Sequence, residues 1–310
     1  MNFLYCLDEN YNTQAIMSLY TLNKNIDTTI NIFIAHNNVA SIKKQISQFN
    51  LDKLNIKYLN ISNNIELPNL KNEHVTEATY YRIFALSKLN ESLDHIVYID
   101  SDIIFNKNPL HSFNSLKNKL FSSEFEISAN TIGKYQSGNK ELDEYFDYLE
   151  INDKYFNAGV IMYDLNKYRK NKLDQKLKSH LINFNKEAKY WDQDILNVYF
   201  NGQYLELPET LNNNVVTENA NINMEEELEK ITLHFAGRTK PWHVEGFKYP
   251  VGCYFQKIYR SIFDDEYFIS PYNKRRHFRE IKNFLRDRKS YCINNQMTFL
   301  IKSTFLLFKL

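Results

Sequence analysis

The stretch of sequence that decides the fold is His95-Ile96-Val97-Tyr98-Ile99-Asp100-Ser101-Asp102. Its first five residues form an apolar run typical of a strand buried on both faces, and two aspartates follow where that strand leaves the core. In extended backbone, residues two apart project to the same side. Asp100 and Asp102 can therefore converge on one divalent cation and on the oxygens of a bound phosphate. The stretch predicts a central strand that ends in a metal-bridged nucleotide site.

The chain before this strand alternates between strands and helices. Apolar runs predict strands at residues 3–7, 30–35, 56–59 and 95–99, and helical spacing predicts helices between them, the last at residues 80–89. A repeated βαβ order implies a mostly parallel sheet with right-handed crossovers. Ligands of such sheets bind beyond the carboxyl ends of the strands. Asp8, which follows the first predicted strand, is therefore expected in the same crevice as Asp100 and Asp102.

The pattern loosens after Asp102. The remaining predicted elements are a helix at residues 141–149, a strand at 156–164, a polar turn region at 212–223, a strand at 231–235 and a loop at 236–243. The chain has only 7 glycines and neither GxGxxG nor GxxxxGK[ST], so it offers no glycine-rich phosphate cradle of either kind. A metal ion is the favoured phosphate partner.

Composition and charge limit the classes of protein that remain. The hydrophobic fraction is 43%, which supplies a sizeable core, and the formal net charge of +1 argues against a nucleic-acid binder. We expect one large α/β domain over residues 1–260 and a C-terminal tail over residues 261–310. The sequence gives no indication of the oligomeric state.

Three cysteines, Cys6, Cys253 and Cys292, are widely separated and form no CxxC pair. This spacing supports neither a disulfide framework nor a zinc knuckle, and it favours a reducing compartment. The N-terminus lacks a basic region ahead of its apolar segment, and no run of about 18 apolar residues occurs. We expect a cytoplasmic protein.

The tail differs in charge from the rest of the chain. Residues 274–310 contain ten Lys/Arg and two acids. Helical spacing places Phe278, Ile281, Phe284 and Leu285 on one face with basic residues around them, which predicts a basic amphipathic helix. The apolar segment 297–310 is too short and too interrupted to span a bilayer. Both features favour attachment to an anionic membrane surface, although a solvated face or a protein-docking helix remains an alternative.

Asp-x-Asp alone is weak evidence, but five further segments accompany it. They are Asp8-Glu9-Asn10-Tyr11, Tyr81-Arg82, Phe156-Asn157-Ala158-Gly159-Val160, Trp191-Asp192-Gln193-Asp194-Ile195-Leu196-Asn197 and Leu233-His234-Phe235-Ala236-Gly237-Arg238-Thr239-Lys240-Pro241-Trp242. With these segments in this order, the chain resembles the family 8 glycosyltransferases over roughly residues 1 to 250. That family includes bacterial lipopolysaccharide galactosyl- and glucosyltransferases and glycogenin.

The resemblance implies a GT-A fold, in which one Rossmann-like mixed sheet is flanked by helices. It also implies transfer of a sugar from a UDP-sugar, with Mn²⁺ and with retention of anomeric configuration. Asp100, Asp102 and His234 would ligate the metal, and Ser101 would contact the donor. Two carboxylates and one imidazole suit Mn²⁺ or Mg²⁺, and the imidazole favours Mn²⁺.

The resemblance also assigns residues to the nucleotide. Asp8 and Asn10 would contact the uridine, while Gly237 and Lys240 would contact the pyrophosphate. Lys240 would add a fixed positive charge where the leaving group develops negative charge. For Asp8, capping of a helix is the alternative, and for His234 the alternative is a structural role in the core.

The donor sugar would lie among Arg82, Asn157, Asp192 and Gln193, with Gln193 beneath the anomeric carbon. Glutamine is a poor nucleophile, so front-face attack by the acceptor hydroxyl is favoured over a covalent intermediate. Arg82 has the alternative of pairing with Glu77 on its own helix. An acidic contact to the sugar is expected near residues 124–130, where Glu126 and Asn130 are the candidates in this chain.

The function expected from the resemblance is transfer of galactose or glucose to a lipid-linked glycan, such as lipopolysaccharide or lipooligosaccharide, at the inner face of a bacterial cytoplasmic membrane. A sugar-phosphate nucleotidyltransferase is one rival, but the segment after the first strand lacks the glycine-rich basic loop of that class. A phosphatase with an early Asp-x-Asp is discounted because the pair ends a late strand. A non-catalytic binding or membrane-docking module with the same fold is the other alternative.

Overall fold

A computed structural model describes residues 1–61, 77–268, 274–287 and 291–309. The chain divides into two compact units, Met1–Asn212 and Asn213–Leu310. The expected division between a domain at 1–260 and a tail at 261–310 stays a prediction.

Unit 1 is built around one sheet. The strands of unit 1 are β1 (Asn2–Leu7), β2 (Ile30–His36), β3 (Leu54–Asn60), β4 (His95–Ile99), β5 (Ile103–Phe105), β6 (Ile127–Lys134), β7 (Lys154–Asp164) and β8 (Leu205–Glu206), and all of them except β5 belong to this sheet. Its α-helices are α1 (Asn12–Asn25), α2 (Val39–Ile46), α3 (Tyr81–Ala85), α4 (Leu110–Ser122), α5 (Lys140–Leu149), α6 (Leu165–Lys170), α7 (Leu173–Asn183) and α8 (Asp192–Phe200).

Within the described residues, the sheet has the order β3-β2-β1-β4-β7-β6-β8. Neighbouring strands are parallel except where β7 pairs antiparallel with β4 on one side and β6 on the other. All five residues of β4 and all six of β1 are buried, as the continuous apolar runs predict for strands covered on both faces. The predicted mixed α/β sheet is confirmed.

The predicted helix at residues 80–89 is broken into three short pieces. A 3-10 turn at Glu77–Tyr80 precedes α3, and a second 3-10 turn follows at Leu86–Lys88. Four residues of α3 are buried, and one of them is Arg82. A charged side chain in such a place requires ionic partners, which are described below.

Unit 2 contains one described strand and four described α-helices. They are β9 (Thr232–His234), α9 (Met224–Leu228), α10 (Pro250–Phe263), α11 (Lys274–Arg286) and α12 (Gln296–Lys309). Its largely aromatic cluster includes Val244, Phe247, Phe284 and Phe299, none of which is exposed. The last two belong to α11 and α12, so the tail helices pack into the core of this unit.

The orientation of α11 differs from the predicted one. Ile281 and Phe284 are buried, but Phe278 is 63% exposed and Leu285 is 47% exposed. His277 and Glu280 are also buried. They lie one residue before and two residues after Phe278. His277 Nε2 lies 2.9 Å from the carbonyl oxygen of Ser303, and Glu280 pairs with Lys248. Because these partners satisfy the two polar groups, the helix turns part of its apolar face outward.

The prediction that no disulfide forms is wrong. Cys253 in α10 is bonded to Cys292, which precedes α12, and the Cα atoms are 5.3 Å apart. Cys6 is the free cysteine and is buried in β1. The pair is 39 residues apart in sequence and has no spacing motif, so only the packing of unit 2 brings the two thiols together. Among the described residues, no helix has the length and apolar character needed to cross a membrane.

Candidate active site

The carboxyl ends of β1 and β4 lie side by side because these two strands are parallel neighbours. Asp8 follows β1, and Asp100 follows β4. Carboxylate oxygens of Asp100 and Asp102 lie within 4.8 Å of each other, as the predicted convergence requires. Ser101 and Asp102 are each 8% exposed. The backbone N–H of Asp100 donates to the carbonyl of Gly159 at 2.8 Å, which fixes this turn against β7.

Arg82 joins three parts of unit 1 at this edge. Its Nη2 lies 3.1 Å from Oδ1 of Asp100, its Nε lies 2.6 Å from Oδ2 of Asp192, and its Nη1 donates to the carbonyl of Ala158. The guanidinium also lies over the ring of Tyr98, 4.0 Å from the centroid. Asp100 and Asp192 are therefore ionic partners of Arg82; the side chain of Glu77, the alternative partner, lies outside the described residues.

Asp192 is held in an environment that disfavours its charged form. Burial raises the pKa of Asp192 to about 7; Arg82 opposes this shift, and the charge of Asp100 adds to it. Asp192 as a whole residue is 3% exposed. Asp192 lies in the first turn of α8, where the helix dipole acts in the same direction as Arg82 and partly offsets the effect of burial. An acid with a perturbed pKa beside a carboxylate pair is characteristic of functional sites.

Asn157 and Gln193 are in direct contact. Nδ2 of Asn157 lies 3.3 Å from Oε1 of Gln193. Oδ1 of Asn157 accepts hydrogen bonds from the backbone of Gly159 and from the amide of Asn212, both at 2.9 Å. The predicted sugar-pocket residues Asn157, Asp192 and Gln193 thus gather where α8 begins against β7.

An irregularity in β7 produces this arrangement. The register of β6 with β7 shifts between Ala129, which pairs with Ile161, and Asn130, which pairs with Asn157. Such bulges re-aim side chains and are common beside active sites. Of the two candidates for the additional sugar contact, Asn130 is 6% exposed and lies opposite Asn157. Glu126 precedes β6, and its carboxylate accepts from Asn171 at 2.7 Å.

Asp8 acts as a cap in the structure. Its Oδ1 accepts the backbone N–H of Asn10 at 2.9 Å, and the amide of Asn10 lies 3.5 Å from Oδ2. Asp8 is 7% exposed, whereas Asn10 is exposed. The capping interpretation of Asp8 is thus confirmed, and the uridine role of this pair stays a prediction.

The remaining predicted residues belong to unit 2. His234 ends β9, is 4% exposed, and is fixed by its backbone, which donates to Asn213 at 2.8 Å and accepts from Val215 at 2.9 Å. Gly237 has φ of +93° and open space where a side chain would lie. Nζ of Lys240 donates to the carbonyl of Phe235 at 2.7 Å, so this lysine closes its own loop.

Sequence reasoning missed several partners of these residues. Tyr98 donates to Asp100, and Tyr155 bonds Gln193, yet both tyrosines lie in strands and read as core. Asn197 binds the backbone N–H and carbonyl of Phe156 at 2.7 and 2.9 Å, which fastens α8 to β7. A signal for Asn197 was present, because it is the last residue of the quoted segment 191–197.

The comparison with known protein families places this fold in a class of sugar-transferring enzymes. A model described as "Glycosyl transferase family 8" matches residues 2–246, so the chain belongs to glycosyltransferase family 8.

Named relatives agree with this assignment. A lipopolysaccharide 1,2-glucosyltransferase of Escherichia coli is 28% identical over 275 residues, which cover 83% of this chain and 77% of the relative. The protein of that description from Escherichia coli strain K12 is 28% identical over 175 residues, which cover 54% of this chain and only 50% of the relative. This chain's match thus spans half of the second relative's length.

A solved structure supports the fold. The galactosyltransferase LgtC, crystallised with donor and acceptor sugar analogues, matches with a TM-score of 0.60 at 18% identity. The match covers 85% of this chain and 96% of that one. At this identity the similarity is evidence for the fold alone, and the predicted GT-A fold is confirmed.

Proposed function

We propose that this protein transfers a hexose, galactose or glucose, from a UDP-sugar to a hydroxyl group of a glycan with retention of configuration. The observation that carries the proposal is the convergence of Asp100, Asp102, Arg82 and Asp192 at the carboxyl edge of the sheet in a member of glycosyltransferase family 8. Carboxylates for a cation and a buried acid for sugar hydroxyls are the parts that such a reaction requires.

The donor set fits a divalent cation. Asp100 and Asp102 supply oxygens within 4.8 Å of each other. We propose His234 as the third ligand from the sequence pattern; an imidazole favours Mn²⁺ over Mg²⁺. When bound, the metal supplies Lewis-acid stabilisation of the departing UDP. Ser101 lies between the two carboxylates and would contact the donor.

Four predicted residues would hold the nucleotide. We propose that Asp8 and Asn10 bind the uridine, which requires Asn10 to present its exposed amide. We propose that Gly237 and Lys240 bind the pyrophosphate. Gly237 suits this role because its positive φ and open surroundings let backbone N–H groups approach an anion.

In the proposed reaction, the bond between the anomeric carbon and the leaving phosphate oxygen breaks as the acceptor hydroxyl approaches from the same face. The acceptor oxygen bonds to that carbon, and its proton passes to the leaving phosphate. Gln193 would stabilise the positive charge on the sugar, while Arg82, Asn157 and Asp192 position the hexose. Asp194 is an unsuitable nucleophile, because both of its oxygens accept hydrogen bonds in a fully buried site.

The test is a donor screen that measures UDP release at fixed Mn²⁺ with and without glycan acceptors. We expect one UDP-hexose to be turned over and chelation of the metal to stop the reaction. Asp102→Asn should lower the rate by about a hundredfold or more. Glu91→Gln is the matched control, because this exposed carboxylate precedes the amino end of β4, whereas Asp102 follows its carboxyl end. No release with any UDP-sugar would refute the proposal.

We further propose that the acceptor is a lipid-linked glycan of the lipopolysaccharide type and that residues 261–310 hold the enzyme at the cytoplasmic face of a bacterial membrane. The relatives named above support the acceptor class. Support for the membrane comes from the outer face of α11, where Phe278 and Leu285 are exposed. The exposed basic residues of that helix are Lys274, Arg275, Arg279, Lys282 and Arg286.

α12 adds to this surface. Met297, Ile301 and Phe305 follow one another at intervals of four residues and are 68%, 52% and 65% exposed. An exposed apolar stripe beside basic residues is the pattern of an interfacial helix. Near an anionic surface, each lysine or arginine contributes about 1 kcal/mol.

Vesicle binding tests this part. Deleting the tail would unfold unit 2, because Phe284 and Phe299 are buried in its core. Substitutions on the surface are therefore better: Arg275→Glu with Arg279→Glu and Lys282→Glu should abolish sedimentation with vesicles containing phosphatidylserine or phosphatidylglycerol. The control carries Lys43→Glu and Lys44→Glu in α2. Unchanged binding by the α11 variant would exclude the proposed surface.

A further inference from the structure

The side-chain amide of Gln193 is hydrogen-bonded at both ends. Its Oε1 accepts the backbone N–H of Ala158 at 3.0 Å, in addition to the amide of Asn157. Its Nε2 donates to the hydroxyl of Tyr155 at 3.0 Å. A backbone N–H can only donate, so the atom facing Ala158 is the oxygen and the atom facing Tyr155 is the nitrogen. The partners of Gln193 therefore set the orientation of its amide.

The hydroxyl of Tyr155 passes this orientation on to a buried carboxylate. Because the hydroxyl accepts from Gln193, its own proton is directed to Oδ1 of Asp194, 2.5 Å away. Burial raises the pKa of Tyr155 well above its usual range, and the charge of Asp194 adds to that shift. The phenol therefore keeps the proton that it donates. The donors run in one direction, from Gln193 through Tyr155 to Asp194.

Asp194 is fixed by two more donors. Oδ2 accepts the hydroxyl of Tyr145 at 2.7 Å and the backbone N–H of Tyr190 at 2.6 Å. The residue has no exposed surface. A carboxylate with donors on both oxygens has little freedom to turn, and it anchors the chain of hydrogen bonds that ends at Gln193.

We propose that Tyr155 and Asp194 are positioning residues for the transfer reaction and act by holding the amide of Gln193 in one orientation. The inference rests on the proposed function, in which Gln193 faces the anomeric carbon. A glutamine side chain has several rotatable bonds, and charge stabilisation is strongest when the dipole is already aligned before the reaction. Loss of the hydroxyl of Tyr155 frees Nε2 and lets the amide move while Ala158 still holds the oxygen.

Tyr145 provides a matched control. It donates to the same carboxylate as Tyr155, but to the other oxygen, and it is not part of the chain that reaches Gln193. Tyr145→Phe and Tyr155→Phe each remove one hydroxyl from the same cluster. A role limited to stabilising the fold should affect both variants similarly.

The first measurement is steady-state kinetics with the UDP-sugar that the wild type uses. Tyr155→Phe should lower kcat by about ten- to a hundredfold and leave KM for the donor within about threefold. Asp194→Asn should lower kcat similarly, because its single oxygen cannot serve both Tyr155 and Tyr190. Tyr145→Phe should retain kcat within about threefold. Wild-type kcat in Tyr155→Phe would overturn the inference.

The second measurement is a double-mutant cycle with Gln193→Ala. If Tyr155 acts through Gln193, Tyr155→Phe should change kcat by less than about twofold in the Gln193→Ala background. An undiminished effect in that background would show that Tyr155 acts in another way. If the wild type turns over no UDP-sugar, the proposed function is wrong. If the wild type is active and Tyr155→Phe is equally active, only the proposed role of Tyr155 is wrong.

Proton NMR spectroscopy tests the same inference in variants whose activity is too low for kinetics. The Nε2 proton signals of Gln193 are identified by their loss in Gln193→Ala. The signal of the proton donated to Tyr155 should shift upfield in Tyr155→Phe and keep its position in Tyr145→Phe. Equal shifts in the two variants would contradict the proposed chain.

Discussion

Arg82 and Asp192 form an ion pair that is closed off from solvent. Their Nε and Oδ2 atoms are 2.6 Å apart, and the side chains are 7% and 5% exposed. Because Arg82 also binds Asp100, one guanidinium connects a predicted metal ligand with a predicted sugar contact. The geometry of these two parts of the site is thus coupled through a single residue.

Removal of this cation should destabilise the protein. Arg82→Met leaves Asp192 buried without its partner, and breaking a buried pair in this way costs about 3–5 kcal/mol. The control is Arg169→Met, because Arg169 donates to the carbonyls of Leu93 and Asn90. That change should cost about 1–3 kcal/mol. Urea denaturation measures both, and equal losses would show that the ion pair has no special role.

Asp192 should make the stability of the protein depend on pH. Its pKa is about 7 in the folded state, whereas an aspartate in an unfolded chain titrates near about 3.9. Between these values the folded state holds a proton that the unfolded state has released, so the free energy of unfolding falls as the pH rises.

The variant Asp192→Asn isolates this effect. The asparagine side chain of this variant stays neutral. The free energy of unfolding of the wild type minus that of the variant should therefore decrease from about pH 5 to about pH 8. Urea denaturation without metal, at both pH values, gives the difference. A constant difference would contradict the raised pKa of Asp192.

The outward turn of α11 predicts a large loss of stability for one phenylalanine variant and almost none for another. Phe284 has no exposed surface and packs with Phe247 and Phe299. Phe284→Ala should therefore cost about 3–5 kcal/mol. Phe278 is 63% exposed, and Phe278→Ala should stay within about 0.5 kcal/mol. Thermal or urea denaturation compares them, and a large loss for Phe278→Ala would show that α11 is rotated from the described position.

The disulfide predicts one reactive thiol in the unfolded, unreduced protein. Cys6 alone should react with a thiol reagent in denaturant, and a reductant should raise the number to three, as counted by mass spectrometry. Closing a loop of 39 residues should contribute about 4 kcal/mol to stability. The variant Cys253→Ser gives the comparison, and three reactive thiols without reductant would rule the bond out.

The elements that follow simple rules were predictable from the sequence. β1 and β4 are continuous apolar runs, and Asp100 and Asp102 follow β4 where alternation places both on one side. The antiparallel insertion of β7 was not derivable from its apolar pattern, because that pattern does not encode strand direction. The family resemblance supplied the mixed sheet instead.

The parts of the site that escaped prediction depend on tertiary packing. Tyr155 and Tyr98 look like core residues in sequence, and only the folded chain shows their hydroxyls bonded to Gln193 and Asp100. The disulfide and the rotation of α11 were missed for the same reason. His277 takes an inward position because Ser303, in α12, offers it a carbonyl.

The register shift in β7 limits how this region can change in length. Val160 pairs with Ile99 of β4, whereas Asn157 pairs with Asn130 of β6. Deleting one residue between them would turn Asn157 to the opposite face of the sheet, away from Gln193. Attempts to engineer a different donor preference can therefore vary side chains here, but they must keep the number of residues between Asn157 and Val160.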